Sequence, residues 1–541
     1  MPPDYYTRRE ALAATGKLIV AGALARTGVS AAVDERSASV HGAVVGDPAA
    51  VHVGEKVLRD GGNAIDAAIA TAFAVGIVSP AKCGVGGYGG HAMIFPAGRK
   101  PVAIDFDAMA PAAARADMFP LDAQGQVPGE VNIHGWLAAG VPGTVAGLEL
   151  ALTRYGTRPL RQMLQPAIAM CEEGVYVVPA KGLDDASHDD PRPPSAQGRA
   201  LPREKQRNLA LGRLLKTLAA RNSADSFYRG DIADKIAAAF QRGGGLVTRE
   251  DLAAYRAREL APLTIDWNGL GIHTVPLPAS GLVIIEAIAI LKALGWTKLS
   301  PWPRMHAKLE ALRIAWADRT HLFGDPEFVK VPIEQLMSSA YAAEMAEKIT
   351  TAVTARRPVP LNVDPSHAGG TTNISAADRH GNMIAVTLTH GAGFGARVAV
   401  EELGIILGHG MSRFDPRPGL PNSPGPRKRP LTNMCPTLVT RGGAGVFVLG
   451  AAGGTRIPNT ITEAVLNFVG LGTDMDAALA APRLNTDGTL ELGLDKRHTR
   501  EHEEFFTKLG YKVGPRPGAY IGAVTYDPAT HRAKGMAGVA V

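Results

Sequence analysis

Gly369-Gly370-Thr371-Thr372-Asn373 is the stretch whose residue types and order could do chemistry. If the bond between Gly370 and Thr371 is cut, Thr371 carries a hydroxyl nucleophile and a free α-amine. The amine's ordinary pKa of about 7.7–8.0 makes it a base near neutrality, so one residue supplies both functions. Two strands are expected beside it, Ile374 to Ala377 and Met383 to Thr389, joined by the turn Asp378-Arg379-His380-Gly381-Asn382. Taken alone, the pattern more readily describes a glycine-rich loop entering a β-hairpin. The rest of the chain has to decide between the two.

The elements that would position this stretch alternate between helix and strand. Helices are expected over Ala49–Arg59, Ala64–Val78, Thr144–Tyr155, Pro159–Glu173, Asn208–Ala220, Gly230–Arg242, Leu282–Leu294, Arg304–His321 and Asn459–Leu471. Strands are expected over His91–Phe95, Val102–Phe106, Leu263–Trp267, Gly271–Val275, Thr437–Val439 and Gly445–Leu449. A Pro-, Ser- and charge-rich segment from Asp184 to Gln206 reads as a mobile loop. No internal repeat is visible, and the alternation predicts one layered α/β unit.

Composition narrows the function. The chain has 541 residues, 46% hydrophobic and 20% charged, which is globular rather than disordered. A net charge of +6 with no basic block interleaved with aromatics argues against nucleic acid as a partner. Cys83, Cys171 and Cys435 have no metal-binding spacing, so no metal site is expected. Gly84-Val85-Gly86-Gly87-Tyr88-Gly89-Gly90 matches GxGxxG, but a helix precedes it and a strand follows, the reverse of a dinucleotide site. Its glycines are expected to let backbone pass close to a neighbouring strand or a substrate. At the N-terminus, Thr7-Arg8-Arg9-Glu10-Ala11-Leu12, the apolar run Leu18–Ala25 and Ser30-Ala31-Ala32 resemble a twin-arginine export signal over residues 1–32. No segment holds 18 uncharged apolar residues, so no membrane span is expected.

Several blocks, in order, resemble the γ-glutamyltransferases of the N-terminal-nucleophile hydrolase superfamily. They are Gly61–Ala68, Ile104-Asp105-Phe106 with Ala110-Pro111, Val141–Gly147, Gly324-Asp325-Pro326, Thr371-Thr372, Lys428-Arg429-Pro430, Met434–Thr437 and Gly453–Ile457. The resemblance implies a four-layer αββα sandwich, cleaved between Gly370 and Thr371 into a large subunit (33–370) and a small one (371–541) that stay associated. It makes Thr371 the nucleophile, places Thr389 where a second threonine bonds that nucleophile, and matches Gly453 and Gly454 to the oxyanion hole. Such donors are worth about 3–4 kcal/mol each in other systems.

The positions that would recognise a γ-glutamyl group depart from the family. Asp107-Ala108 stand where the resemblance expects Arg-Glu, and Arg413 where it expects an acid. Its two amide partners fall at Gly391 and Gly410, its paired serines at Thr432-Asn433, and its histidine at Asn373. An Asp cannot hold a carboxylate nor an Arg an ammonium, and like charges in a pocket cost several kcal/mol. Two arrangements follow. Either Arg413 binds a carboxylate on an acyl group that lacks the amine, or Asp107 and Arg413 pair and leave a small neutral site. Relatives in this branch, cephalosporin acylases and oxamate amidohydrolase among them, act on other amides. The short Pro-rich segment Asp415–Arg427 stands where many relatives carry a longer lid, which favours water as acceptor.

The expectation is therefore a cofactor-free, self-processing amidohydrolase, exported, acting on a small-molecule amide with an acyl group other than γ-glutamyl. Its rivals are a true γ-glutamyltransferase or glutathione hydrolase with a rearranged pocket, and an uncleaved binding protein.

Overall fold

The computed structural model describes residues 34–35, 39–177, 204–363 and 370–538. The twin-arginine segment and most of the 184–206 stretch lie outside the described residues.

Two antiparallel sheets carry the structure. One runs, in spatial order, Gly42–Val45, Gly370–Asp378, Met383–Gly391, Gly89–Phe95, Val102–Asp105 and Arg258–Leu260. The other runs Asp34–Glu35, Arg532–Gly538, Tyr520–Asp527, Ala444–Ala452, Thr437–Arg441, Leu270–Thr274 and Leu263–Trp267. They lie face to face where Gly370–Asp378 and Met383–Gly391 meet Ala444–Ala452. Helices cover both outer faces: Ala64–Val78 on the first sheet, Gly281–Leu294 and Arg456–Val465 on the second. Each sheet joins strands from before and after residue 370, since Gly42–Val45 pairs with Gly370–Asp378 and Leu270–Thr274 with Thr437–Arg441.

Local chemistry explains why several elements begin and end as expected. Ala64–Val78 starts with a capping box, in which Asn63 Oδ1 accepts the Asp66 N–H at 2.9 Å and Asp66 Oδ2 accepts the Asn63 N–H at 2.9 Å. Asp66 also accepts from the backbone of Thr157 and Arg158, tying this buried helix to the end of Thr144–Tyr155. Pro159–Glu173 is not one helix. Leu160–Met163 and Gln165–Glu173 are separate, because Pro166 cannot donate to a continuing ladder. The helix expected at Asn459 begins earlier, at Arg456, and ends in a π-helical turn at Leu466–Gly470.

The glycine-rich Gly84–Gly90 stretch meets backbone. A Cβ on Gly86 would stand 2.3 Å from the Ile406 carbonyl oxygen, and one on Gly90 2.0 Å from that of Thr387. The close approach is between strands and loops of the fold itself.

Candidate active site

Thr371 lies at the head of Gly370–Asp378, partly exposed, at an irregularity in the ladder. Gly370 pairs with Gly391 and Thr372 with Leu388, so one strand advances two residues while the other advances three. Thr389 and His390 thus both oppose Thr371, a β-bulge on the Met383–Gly391 strand. Inside the bulge, Thr389 Oγ1 accepts the Gly391 N–H at 2.6 Å, and the His390 N–H leaves the ladder to meet the Lys82 carbonyl at 2.7 Å. The structure therefore brings Thr389 to the side of Thr371.

The second sheet supplies the other half of the site. Asn373 Oδ1 accepts from Thr387 Oγ1 at 3.0 Å, its Nδ2 donates to Ser375 Oγ at 3.1 Å, and Ser375 Oγ donates to the Gly522 carbonyl at 3.0 Å. This buried network fixes Asn373 against Ala444–Ala452, where a Cβ on Gly450 would stand 2.0 Å from Asn373 Oδ1. Near the start of that strand, Gly445 meets Met383, the ladder partner of Ala377. From Gly445 to Gly450 the strand therefore runs back along Ala377 to Asn373. Its continuation carries Gly453-Gly454 to the Thr371 end, and strand alternation puts Thr371 on the side facing them. Neither Gly453 nor Gly454 donates its N–H to any described residue, and the helix Arg456–Val465 starts just beyond. Two free N–H groups at a helix N-terminus suit a developing oxyanion.

Next to Gly370 the polar groups change character. Arg413 Nη2 donates to the Gly391 carbonyl at 2.8 Å, and the Arg413 carbonyl accepts Asn422 Nδ2 at 2.7 Å. Its Nε is buried without a partner among the described residues. Gly391 and Gly410 have no room for side chains. A Cβ on the first would be 1.9 Å from His409 Cδ2, and on the second 2.6 Å from Ala108 Cβ. His409 Nδ1 faces the Ile133 carbonyl at 3.2 Å, so Nδ1 carries the proton. Burial first, then the charge of Arg413, lowers its pKa to about 3. Burial likewise lowers His390 to about 4, so both imidazoles are neutral near pH 7.

Thr432 and Asn433 precede Met434, which packs with Tyr88 and Ala108. The Thr432 carbonyl accepts Ser280 Oγ at 2.6 Å, and Thr432 Oγ1 is buried with no partner among the described residues. Asn433 Oδ1 accepts Arg319 Nη2 at 3.0 Å, and Arg319 Nε donates to Ser280 Oγ at 3.1 Å. Arg319 was not among the expected site residues. It sits on the long helix Pro301–Leu322, and its spacing there gives no sign that Asn433, 114 residues away, is its partner. Burial, then the charge of Arg413, lowers its pKa to about 10, which leaves it cationic at neutral pH.

Asp107 requires a correction. It does not pair with Arg413: its carboxylate is fully buried, with Oδ2 2.7 Å from His91 Nε2. Burial raises Asp107, and the carboxylate raises His91 against its own burial. The neighbouring Asp105 is different. Burial opposes its charge, but Arg429 Nη1 and Arg258 Nη2, each 2.5 Å from Oδ2, hold it well below the usual carboxylate range. His91, Asp105 and Asp107 offer ligand atoms within 4.8 Å of one another, yet two guanidiniums already neutralise this cluster and a metal ion would compete with them. It braces the fold, with the Arg429 N–H also meeting Asp325 Oδ2 at 2.9 Å.

Two antiparallel sheets packed between helical layers, with a hydroxyl residue heading a central strand, are the architecture of an N-terminal-nucleophile hydrolase. The family model described as Gamma-glutamyltranspeptidase matches residues 50–540. The chain belongs to that family, and it is an enzyme of the hydrolase or transferase type. It is 36% identical over 492 residues to a glutathione hydrolase proenzyme of Escherichia coli K12, covering 86% of this chain and 84% of that one. It is 32% identical over 504 residues to the acylase ACY 1 proenzyme of Pseudomonas sp. SE83, covering 90% and 89%. Among solved structures, the cephalosporin acylase of Bacillus halodurans superposes with a TM-score of 0.80 at 26% identity, over 96% of this chain and 97% of that one. The Helicobacter pylori γ-glutamyltranspeptidase gives 0.51 at 32% identity, over 62% and 95%.

Proposed function

We propose that the chain cuts itself between Gly370 and Thr371 and then hydrolyses an amide whose acyl group is not γ-glutamyl. In processing, Thr371 Oγ attacks the Gly370 carbonyl carbon. The peptide C–N bond breaks as the acyl group passes from nitrogen to oxygen, and water opens the ester to leave a free Thr371 amine. In turnover, that amine takes the hydroxyl proton, Oγ bonds to the substrate carbonyl carbon, and the oxyanion is held by the Gly453 and Gly454 N–H groups. The proton passes to the departing amine. Water then opens the acyl-enzyme with the same amine as base. Thr389, across the bulge, positions Thr371. Export through the twin-arginine segment belongs to the same reading, and no described helix is long and apolar enough to cross a membrane.

One observation supports the choice of acyl group: Arg413, at the position where the resemblance puts an acid for an amino acid's ammonium, donates to the Gly391 carbonyl and among the described residues forms no ion pair. The crowding at Gly391 and Gly410 supports this, since the amide side chains that the resemblance places there cannot be accommodated. The likeness to the E. coli glutathione hydrolase proenzyme favours a second reading, γ-glutamyl transfer through a rearranged pocket. Gel electrophoresis with N-terminal sequencing, alongside a γ-glutamyl anilide assay, tests both. A fragment beginning at Thr371, absent in Thr371→Ala, with slow γ-glutamyl turnover is the expected result. A single uncut band with full activity would overturn the nucleophile assignment, and ready γ-glutamyl turnover the acyl assignment.

A further inference from the structure

The Gly453 carbonyl and the Gly454 N–H are the two ends of one planar peptide group, so whatever fixes the carbonyl also aims the N–H. Both residues joined by that peptide are glycines, and Gly454 has a φ of +63°, so no Cβ restrains its rotation. Arg456 restrains it. Its Nε donates to the Gly453 carbonyl at 2.9 Å, and the one other donor there among the described residues is the Arg456 N–H, at a long 3.4 Å. Nη1 reaches a second segment, the carbonyls of Pro517 at 3.0 Å and Gly518 at 3.4 Å. That segment is itself pinned to the Arg456–Val465 helix, because Ala519 donates its N–H to the buried Thr460 Oγ1 at 3.1 Å. The guanidinium is therefore a clamp between two stretches of backbone, and its planar fork sets the direction of both bonds.

The charge of Arg456 is placed against a local rule. A cation in the first turn of a helix faces the positive end of the helix dipole, and this helix carries no acid in its first turn to offset it. Every hydrogen bond that the Arg456 side chain makes among the described residues goes to a neutral carbonyl. The Gly453 and Gly454 N–H groups beside it meet no described acceptor. Positive charge and free donors thus gather at one point, which an oxyanion would offset. A cation on a carbonyl also polarises the N–H at the other end of the same peptide and makes it the stronger donor.

We propose that Arg456 is a positioning residue, which holds the Gly453–Gly454 peptide with its carbonyl on the guanidinium and the Gly454 N–H turned toward the oxyanion. The assignment rests on the amidohydrolase reading above and adds to it the device that keeps the oxyanion hole set before substrate arrives. Without the clamp the peptide is free to rotate, and it then presents a carbonyl to the developing negative charge in place of a donor. Arg456 makes no bond to substrate and moves no proton. Its effect falls on the transition state, through Gly454.

The test uses purified, self-cleaved enzyme and p-nitrophenyl acetate, whose small acyl group makes few demands on the acyl site. Release of nitrophenol above that of Thr371→Ala measures turnover at the nucleophile. Arg456→Gln should lower kcat on the order of 10–100-fold with KM within about threefold, since the clamp acts on charge that develops only in the transition state. Arg456→Lys, which keeps the charge and one donor, should recover part of that loss. In a Gly454→Ala background Arg456→Gln should cost much less than in the wild type, because both changes disturb the same N–H. A merely structural arginine would lower Tm and leave kcat per cleaved active site unchanged, and that result would overturn the proposal. A loss carried by KM, or full additivity with Gly454→Ala, would overturn it too. If Arg456→Gln does not fold, Arg456→Lys decides: lowered kcat at constant KM supports the clamp, and wild-type kcat overturns it. No release above Thr371→Ala in the wild type would instead remove the reading beneath, and the proposal with it.

Discussion

Arg413 donates Nη2 to the carbonyl of Gly391 at 2.8 Å, and Gly391 is the ladder partner of Gly370. One hydrogen bond and one strand pair therefore connect Arg413 to the bond proposed for cleavage. Under the proposed function, selectivity and self-processing share a frame, so changes in the bulge should be felt in both.

Thr389→Val tests the bulge. Valine keeps the shape but cannot accept the Gly391 N–H, which Thr389 Oγ1 now accepts at 2.6 Å. Leaving that buried donor unmatched should cost about 1–3 kcal/mol and slow the appearance of the Thr371 fragment. Thr389→Ser keeps the acceptor and should process closer to the wild-type rate. Time courses on gels with a thermal melt separate the two effects.

Gly454→Ala tests the oxyanion assignment. Gly454 has a φ of +63°, a left-handed conformation that costs an alanine roughly 1–2 kcal/mol. Turning its N–H should lower kcat on the order of 10–100-fold with little change in KM, because the donor acts on charge that develops in the transition state. A rise in KM at constant kcat would mean that it binds ground-state substrate instead.

Asp107→Ala distinguishes bracing from binding. The change leaves the buried His91 ring without its partner at 2.7 Å and should cost about 3–5 kcal/mol of stability. Enzyme that folds at lower temperature should keep its KM for the preferred amide, since the Asp107 carboxylate reaches no solvent. A large KM change at full stability would return Asp107 to the pocket.

Acid should loosen the site through its histidines. His409 and His390 have pKa values of about 3 and 4 in the folded protein, below the usual 6.5. Between those values and 6.5 the unfolded chain binds more protons, so stability is complete above about pH 6.5 and falls as pH drops toward 4. The slope should approach 1.4 kcal/mol per pH unit for each ring. Arg413 and His134 bear on His409, and the Cys83 backbone opposes the shift at His390. Melting temperatures between pH 4 and 8 would read the slope, and His409→Asn should flatten part of it.

Elements with local signals were legible in the sequence. Ala64–Val78 has the bounds expected from Asp66 near its start and Ser79-Pro80 beyond its end, and Thr144–Tyr155 follows its glycines in the same way. The strands Tyr520–Asp527 and Arg532–Gly538 went unread because small residues and glycines blur their alternation, and only pairing defines them, the first with Ala444–Ala452 and the second with the first. Thr371, Thr389 and Gly453-Gly454 were singled out through ordered blocks; the fold sets Thr389 opposite Thr371 and runs the strand before Gly453-Gly454 back along Asn373 toward that end. The bulge was not legible, since a one-residue slip between strands leaves no mark on composition.

Asp107 and Arg319 fail in opposite ways. For Asp107, a matched residue number does not say whether a side chain turns toward a pocket or toward His91, where the structure puts it. Arg319 is invisible locally because its neighbours Asn433 and Ser280 arrive through tertiary packing.

The strands shared between the two sides of residue 370 have a kinetic consequence. Before the cut, Gly42–Val45 and Gly370–Asp378 find each other within one chain, at the effective concentration of a tether. After the proposed cut, the same ladder would form only by encounter of two molecules, so refolding would become second order and weaken on dilution. Under the proposed cleavage the protein would fold once as a unimolecular event. Its later persistence would depend on how slowly it comes apart rather than on how readily it reforms.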